Sequence, residues 1–213
     1  MSRDLFCPCA AEGAAFVVNW LPYPRKRGKT NVTAHTHSLA DLPAFITEEG
    51  EETCHVIIET PKGSRNKFTY DEDLHLFKLG GVLPAGHTFP FDFGFIPQTL
   101  GGDGDPLDVL VLMDEPAFPG CLVHARLIGI IEAEQTEDGT TERNDRLIGV
   151  AIHSRNHTGV RGLEDLHGNT VDEIEHFFVS YNESKGKQFN PLGRGDGKRA
   201  REIVEAGIKQ RRK

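Results

Sequence analysis

The sequence predicts a mainly β fold (α+β), a small closed barrel of five or more strands with flanking helices. Two observations support this prediction. From Cys54 onward, short runs of apolar and β-branched residues recur, separated by proline, glycine or acidic turns. Apolar stripes at helical spacing occur only near the C-terminal end. The predicted strands are His55–Glu59, Lys67–Tyr70, Leu74–Leu79, Leu107–Met113, Leu122–Ala133 and Arg146–Ile152.

The turns and the most apolar strand follow from the same pattern. The acidic segment Asp71–Asp73 separates two of the runs and predicts a hairpin. Glu137–Gly139 predicts the turn that joins the last two strands. Leu107–Met113 is almost continuously apolar, which indicates a strand that is buried on both faces.

Helices are predicted after the last of these strands. Leu163–His167 has the length of one turn, and Lys198–Gln210 is expected to form the final helix. Between them, Thr170 and Glu173 have the spacing of a capping box, which predicts a helix that Thr170 caps and Gly186 ends. The apolar stripe of this helix comprises Val171, Ile174, Phe177, Phe178 and Tyr181.

Residues 1–52 differ from the remainder and are predicted to be an N-terminal extension. Prolines, a basic run at Arg25–Lys29 and the His35–His37 segment interrupt any apolar pattern, and one short helix is expected around Leu39–Phe45. Two histidines alone make a weak metal site, so we interpret them as surface residues. Residues 53–213 are then predicted to be the barrel domain with its C-terminal helices.

The composition excludes several classes of partner. A formal net charge of −8 over 213 residues argues against nucleic-acid binding, which requires a basic face. No apolar run reaches the roughly 18 residues of a membrane-spanning helix, so no membrane partner is expected. Cys7 and Cys9 are poorly spaced for a mutual disulfide and lack the further ligands of a zinc site. With no recognisable secretory signal, this pattern favours reduced thiols and a cytoplasmic location.

The segment Asp103–Asp108 places three carboxylates within six residues. Without a partner they would repel one another and raise one another's pKa values, and a bound divalent cation removes that repulsion. If the chain is extended there, Asp103 and Asp105 share one side, while a turn at Pro106 would bring Asp108 back toward them. Ligands that are all oxygen suit Mg²⁺, with Mn²⁺ as a possible substitute.

Two other interpretations of this loop compete with a cation site. A calcium EF-hand is rejected, because its required positions 5, 6 and 12 would hold Leu107, Asp108 and Asp114, and because the flanks are predicted strands. A solvated acidic turn without an ion remains an alternative. The run Val109–Leu112 that follows makes the pattern more specific than an isolated Asp-Gly-Asp.

The chain resembles a divergent branch of the soluble (family I) inorganic pyrophosphatases, whose signature is Asp-x-Asp-Pro-x-Asp before an apolar strand. The resemblance implies a five-stranded barrel of the OB type and Mg²⁺-dependent hydrolysis of pyrophosphate to two phosphates. It also implies a homo-oligomer. The matching stretches run from Val56 to Gly193 and include Val56–Pro61, Phe93–Thr99, Asp103–Asp108, His153–Arg155 and His176–Phe178.

The resemblance implies a role for each candidate site residue. Asp103 and Asp108 would bind metal, with Glu59 acting near the metals through water. Asp105 would also stand at the metals and accept a proton from a metal-bound water. The residues that fall on phosphate-binding positions are Lys67, Arg146, Tyr181 and Lys187.

Several positions depart from the family pattern. An arginine falls on Gly81, so a charged phosphate contact is missing there unless Lys78 reaches in. Basic residues of Arg25–Lys29 are a further candidate to replace it. The remaining departures are a glutamate that falls on Thr69, two tyrosines that fall on Phe89 and Phe93, and a lysine that falls on Asn182.

The second acidic cluster of the family is also altered. Its first aspartate corresponds to Glu137 or Asp138, and its second to Asn144, a neutral candidate metal ligand. Asp145 could replace Asn144 only if the strand register slips by one residue, because neighbours on a strand point opposite ways.

Two alternative functions therefore stay open at the level of sequence. The loss of the arginine at Gly81 motivates a hydrolase of another phosphoanhydride or of a phosphate ester. The sum of the departures motivates a non-catalytic barrel that binds metal and phosphate.

Overall fold

The structure is a computed structural model and describes residues 38–48 and 50–212. Its strands are β1 Phe45–Glu48, β2 Glu51–Thr60, β3 Asn66–Asp71, β4 Leu76–Val82, β5 Asp92–Phe95, β6 Asp108–Leu112, β7 Leu122–Glu137, β8 Thr140–Arg143, β9 Arg146–Ala151 and β10 Gln188–Asp196. Its α-helices are α1 Thr170–Glu183 and α2 Gly197–Arg211, and single 3₁₀ turns span Leu39–Asp41 and Leu163–Asp165. None of the described helices has the length and apolar character needed to cross a membrane.

Five of the strands close into a ring. β2 pairs with β5, β5 with β6, β6 with β9, β9 with β7, and β7 returns to β2. The β6–β9 pair is parallel and the other four pairs are antiparallel. This closed ring with flanking helices confirms the fold class predicted from the spacing of the strands.

Strand β6 is buried on both faces, as its continuous apolar run predicts. Val109, Leu110, Val111 and Leu112 are each at most 1% exposed. Because side chains alternate along a strand, Leu110 and Leu112 join a core that α1 covers, whereas Val109 and Val111 join one that α2 covers. The strand that follows the acidic loop is therefore held from two sides.

The predicted hairpin forms between β3 and β4 as a separate two-stranded sheet. Its turn follows Asp71, whose carboxylate accepts a hydrogen bond from the Leu74 backbone N–H at 3.0 Å. Tyr70 anchors the hairpin, with its ring 5.1 Å from that of Phe77 and 5.8 Å from that of Phe95.

Two predicted helices differ from the structure, one in its extent and one in its N-cap. The helix expected at Leu39–Phe45 is one 3₁₀ turn capped by Ser38, and strand β1 begins at Phe45 and pairs with β2. The capping box of Thr170 does not form, because Thr170 is already the first helical residue. Asn169 precedes it as the N-cap, and the Thr170 hydroxyl donates to the His167 carbonyl at 2.7 Å.

Strands β1, β5, β8 and β10 were not predicted. β10 contains Pro191, Gly193 and Gly195, which are unfavourable in strands, and its register with β7 shifts between Pro191 and Gly193. Gly195 packs so closely that a Cβ would lie 2.8 Å from Ile130 Cγ2. Pairing with the long strand β7 thus overrides weak local propensity. The boundary predicted at residues 52 and 53 stays a prediction.

Candidate active site

One cavity of about 620 Å³ gathers the residues singled out from the sequence. Its lining comes from β2, the β3–β4 hairpin, the acidic loop, the β7–β8 hairpin and the end of α1, with Arg211 from α2. The predicted site residues that line it are Glu59, Lys67, Asp103, Asp105, Asp108, Asn144, Arg146, Tyr181 and Lys187. The structure thus brings the whole predicted set together, while the role of each residue stays a prediction.

The acidic loop is a tight turn, which corrects the expectation of an extended chain. The Gly101 N–H donates to the Asp105 carbonyl at 2.7 Å, and Gly104 adopts a φ of +86° that favours glycine. The Asp105 N–H donates to Asp103 Oδ1 at 3.2 Å. Curvature of the backbone, rather than strand alternation, directs the carboxylates toward one cavity.

Hydrogen bonds to the core fix the far end of this loop. The Leu107 N–H donates to the buried Thr99 hydroxyl at 3.0 Å, and the Leu107 carbonyl accepts from the Ile96 N–H at 3.0 Å. Asp108 follows as the first residue of β6. The loop is therefore anchored to the barrel directly beside one of its acids.

Burial and neighbouring carboxylates raise the pKa values of two acids that line the cavity, Glu59 and Asp103. Burial is the main cause that raises the pKa of Glu59 to about 7, and the charges of Asp108 and Asp105 add to it. The ammonium of Lys67 and the Tyr70 N–H, which donates to Glu59 Oε1 at 2.7 Å, act in the opposite direction. Glu59, Asp103, Asp105 and Asp108 form the acidic wall of the cavity, in which burial favours the neutral form of Glu59.

The pKa of Asp103 is also raised, first by burial, then by the charge of Asp108 and to a smaller extent by that of Asp105. The Asp105 N–H and the charge of Arg146 lower it.

The donor chemistry of this wall fits a divalent cation. Every acidic side chain on it offers oxygen, the ligand type of Mg²⁺ and Mn²⁺, and a cation would relieve the raised pKa values of Glu59 and Asp103. Within residues 38–48 and 50–212, however, no three His, Cys, Asp or Glu side chains stand in a metal-holding arrangement. Asp108 Oδ2 instead lies 2.7 Å from Arg146 Nη1. A cation at Asp108 would compete with that ion pair.

Arg146 is held on several sides. Its guanidinium lies 4.9 Å from the Phe178 ring and 5.4 Å from the Phe189 ring, and its side chain is 5% exposed. Nη1 also donates to the side chain of Asn144 and, at 3.0 Å, to the Asp145 carbonyl. The aromatic rings therefore fix this charge against the acidic wall.

The course of the chain just before β9 determines which of Asn144 and Asp145 lines the cavity. Asn144 is the lining residue. Asp145 Oδ1 accepts hydrogen bonds from the Ala133 N–H at 2.9 Å and from Arg143 Nε at 2.6 Å. Its carboxylate therefore binds β7 and the end of β8 and does not line the cavity. The register does not slip, and the neutral Asn144 occupies the lining position.

Glu137 and Asp138, the two candidates for the other acidic position, also differ in whether they line the cavity. Glu137 lines the cavity, and its Oε2 lies 2.6 Å from Lys187 Nζ. Asp138 has a φ of +49° in the turn that follows and is not part of the lining.

The residues that depart from the family pattern at Phe89, Phe93 and Asn182 make contacts within the protein. Phe89 and Phe93 are buried with their rings 5.4 Å apart, and Lys67 Nζ lies 5.2 Å from the Phe93 ring centre. Asn182 donates to the Phe178 carbonyl at 2.8 Å.

Gly81 leaves open space, because no atom lies within 4 Å of where its Cβ would be. Lys78, the candidate to replace the missing arginine, does line the cavity, but its Nζ is paired with Asp71 at 2.9 Å. Thr69 also lines the cavity.

Sequence reasoning missed several lining residues. Gln135 and Glu142 face each other across the β7–β8 pair, and they were missed because β8 was not predicted. Arg211 reaches the cavity from α2 and pairs with Glu72 at 2.8 Å. Lys185 lies just beyond α1, where a basic residue after a helix gave no signal of its own.

Several features predicted from the sequence lie outside the described residues. They are the basic run Arg25–Lys29, the histidines His35 and His37, and the cysteines Cys7 and Cys9.

Comparison with known proteins gives a consistent result. A sequence model of the family described as "Inorganic pyrophosphatase" matches residues 56–212. The inorganic pyrophosphatase of Synechocystis sp. is 41% identical over 169 residues, which cover 79% of this chain and 98% of that protein. The inorganic pyrophosphatase of Thermus thermophilus is 38% identical over 174 residues, covering 80% of this chain and 96% of that protein.

Solved structures agree. The crystal structure of inorganic pyrophosphatase from Thermus thermophilus superposes with a TM-score of 0.74 at 37% identity, covering 83% of this chain and all of that one. The structure from Neisseria gonorrhoeae gives a TM-score of 0.70 at 31% identity, covering 76% and 92%. The ring of strands, the assembled acidic cavity and these matches lead to one conclusion: the chain belongs to the family I inorganic pyrophosphatases.

Proposed function

We propose that this chain hydrolyses inorganic pyrophosphate to two phosphates with the help of bound Mg²⁺, for which Mn²⁺ can substitute. The observation that carries the proposal is a single cavity lined by both acidic and cationic side chains. Phosphoryl transfer to water needs this combination, because metal, phosphate and attacking water must be held together. The family of the chain supports the same reaction.

Asp103 and Asp108 are the proposed metal ligands, with Glu59 and Asn144 beside them. A bound divalent cation lowers the pKa of a coordinated water and neutralises phosphate charge. The raised pKa values of Glu59 and Asp103 support this assignment, since both groups gain from a nearby positive charge.

Asp105 is the proposed proton acceptor. Asp103 Oδ1 accepts a backbone hydrogen bond and Asp108 Oδ2 is paired with Arg146. In the described part of the chain, the Asp105 carboxylate has neither kind of partner. It is therefore the acid of the loop that is available to take a proton from water.

Lys67, Arg146, Tyr181 and Lys187 are the proposed contacts to the phosphate groups. Three are cations, and the fourth offers a hydroxyl, so each can donate to a phosphate oxygen. Lys187 is paired with Glu137 in this structure, and substrate would have to compete for it.

The test is phosphate release from pyrophosphate during Mg²⁺ titration, for the wild type and Asp105→Asn. Loss of a general base costs about 10²–10⁴-fold in rate, so we expect a drop of that size in kcat. Asp138→Asn is the matched control, because Asp138 lies outside the cavity lining and asparagine tolerates its φ of +49°. Equal loss in both variants, or no loss in Asp105→Asn, would contradict the assignment.

The missing arginine at Gly81 motivates one alternative, a related hydrolase acting on another phosphoanhydride or a phosphate ester. A panel of phosphorylated substrates distinguishes the two, since kcat/KM should be highest for pyrophosphate. If the protein binds Mg²⁺ and pyrophosphate but releases no phosphate, the non-catalytic interpretation holds instead.

We further infer a cytoplasmic, homo-oligomeric enzyme. The free thiols of Cys54 and Cys121 support a reducing location. The assembly is a prediction from the family resemblance, and light scattering of the purified protein tests it.

A further inference from the structure

Six cationic side chains line the cavity, and most of them are already paired with carboxylates. The pairs are Lys78–Asp71, Arg146–Asp108, Lys187–Glu137 and Arg211–Glu72, with N···O distances of 2.9, 2.7, 2.6 and 2.8 Å. Among the described residues, the two lining cations that show no such pair are Lys67 and Lys185. Lys67 already belongs to the predicted site, whereas Lys185 has been given no role.

Lys185 stands against Tyr181, four residues earlier at the end of α1. Its Nζ lies 4.2 Å from the centre of the Tyr181 ring and donates a hydrogen bond to the Tyr181 hydroxyl. Backbone hydrogen bonds stabilise the turn that follows α1. The N–H groups of Lys185 and Lys187 both donate to the Asn182 carbonyl, at 2.9 and 3.0 Å. Gly186, with a φ of +76°, allows the chain to turn there.

The Tyr181 hydroxyl is itself held in place. Its residue is 7% exposed, and its ring lies 5.8 Å from those of Phe89 and Phe177. The neighbouring Asn182 amide donates within the helix to Phe178 at 2.8 Å. Both of these polar side chains at the end of α1 line the cavity, and the Tyr181 hydroxyl is the one that Lys185 contacts.

We propose that Lys185 and the Tyr181 hydroxyl form a joint donor site for one phosphate group of the substrate. An ammonium has three N–H donors, so Lys185 keeps two when one is used on Tyr181. A hydroxyl that accepts from Lys185 can still donate its own proton to a phosphate oxygen. The lysine thus adds a charge-assisted contact and orients the tyrosine. The inference rests on the proposed function, because it assumes a phosphorylated substrate in this cavity.

The test compares Lys185→Met with Lys198→Met. Methionine keeps a long unbranched side chain but removes the charge, and Lys198 is an exposed lysine of α2 outside the cavity. The probe is methylenediphosphonate, a pyrophosphate analogue that cannot be hydrolysed, titrated by calorimetry in the presence of Mg²⁺. Loss of a charge-assisted contact predicts about tenfold or more weaker binding for Lys185→Met and unchanged binding for Lys198→Met. Lys185→Arg should restore part of the affinity.

Unchanged affinity in Lys185→Met would overturn the inference, and so would equal weakening in both methionine variants, which would indicate a general effect of net charge. Thermal melting of each variant checks that the fold is kept. Failure of the proposed function is visible separately, because it would appear as no phosphate release from pyrophosphate by the wild type. The binding comparison still decides the role of Lys185 in that case.

Discussion

At the scale of single residues, Glu59 carries the largest conflict between burial and charge in the cavity. It is 6% exposed, and its pKa of about 7 compares with an ordinary value of 4.5. A raised pKa means that folding favours the neutral form. The metal-free protein therefore has the full contribution of neutral Glu59 below about pH 4.5 and loses it as the pH rises to about 7.

Glu59→Gln should remove this pH dependence, because glutamine stays neutral and keeps an oxygen to accept the Tyr70 N–H. The free energy of unfolding of the wild type in EDTA should fall relative to the variant by up to about 3 kcal/mol between pH 4.5 and pH 7. Urea unfolding at a series of pH values measures the difference. Glu115→Gln, which changes an exposed carboxylate outside the cavity lining, is the control, and its pH dependence should run parallel to that of the wild type.

The residue scale also shows what a sequence reveals about a site. Asp103, Asp105 and Asp108 lie close together in the sequence, so their spacing and the apolar run that follows predict a cation site, which stays a prediction. Glu59 and Arg146 needed the family resemblance, because nothing near them in the sequence suggests chemistry. Lys185 emerged only from the structure, since its role depends on which neighbouring cations already have partners.

At the scale of elements, the contact between β2 and β5 depends on one glycine. Gly94 lies on β5, and a Cβ there would overlap the carbonyl oxygen of Ile57 and lie 2.8 Å from its carbonyl carbon. Both atoms belong to the backbone of β2, which the ring holds on its other side through β7.

Gly94→Ala should therefore destabilise the protein by about 3 kcal/mol or more, because the strands must separate to admit a methyl group. Gly159→Ala is the matched control, with no atom within 4 Å of its Cβ position. Urea unfolding midpoints of the two variants make the comparison. Equal midpoints would contradict the prediction, because β2 and β5 would then not be tightly packed at Gly94 in solution.

Elements also differ in how far the sequence predicts them. Strands β2, β6 and β9 are apolar and β-branched, so pattern and structure agree. Strand β10 contains proline and glycines and is stabilised by pairing with β7, which no local pattern reveals. The start of α1 was misread for a similar reason, since asparagine and threonine both fit an N-cap and only the backbone geometry separates them.

At the scale of the whole molecule, metal binding should be visible as stability. A ligand that binds only the folded state at about 100 times its Kd adds about 2.7 kcal/mol. For a chain of this length, that corresponds to a rise in Tm of about 5–10 °C. We expect Mg²⁺ to produce such a rise and EDTA to reverse it, as measured by calorimetry.

Asp108→Asn should lose most of this rise, whereas Asp138→Asn should keep it. The variant at Asp108 also loses its charge partner for Arg146, so its own metal-free melting curve is the reference. A wild type whose Tm does not respond to Mg²⁺ would contradict the metal assignment.

The pairing of β2 with β7 sets the order in which the cavity is built during synthesis. Cys54 pairs with Ala125, about seventy residues later, and the ring is complete only when β9 has joined β6 and β7. Because chains emerge from the N-terminal end, the acids of the loop appear before Arg146, Tyr181 and Lys185. The nascent chain therefore exposes the acids of the loop to water with Lys67 and Lys78 already made, whereas Arg146, Lys185, Lys187 and Arg211 arrive later.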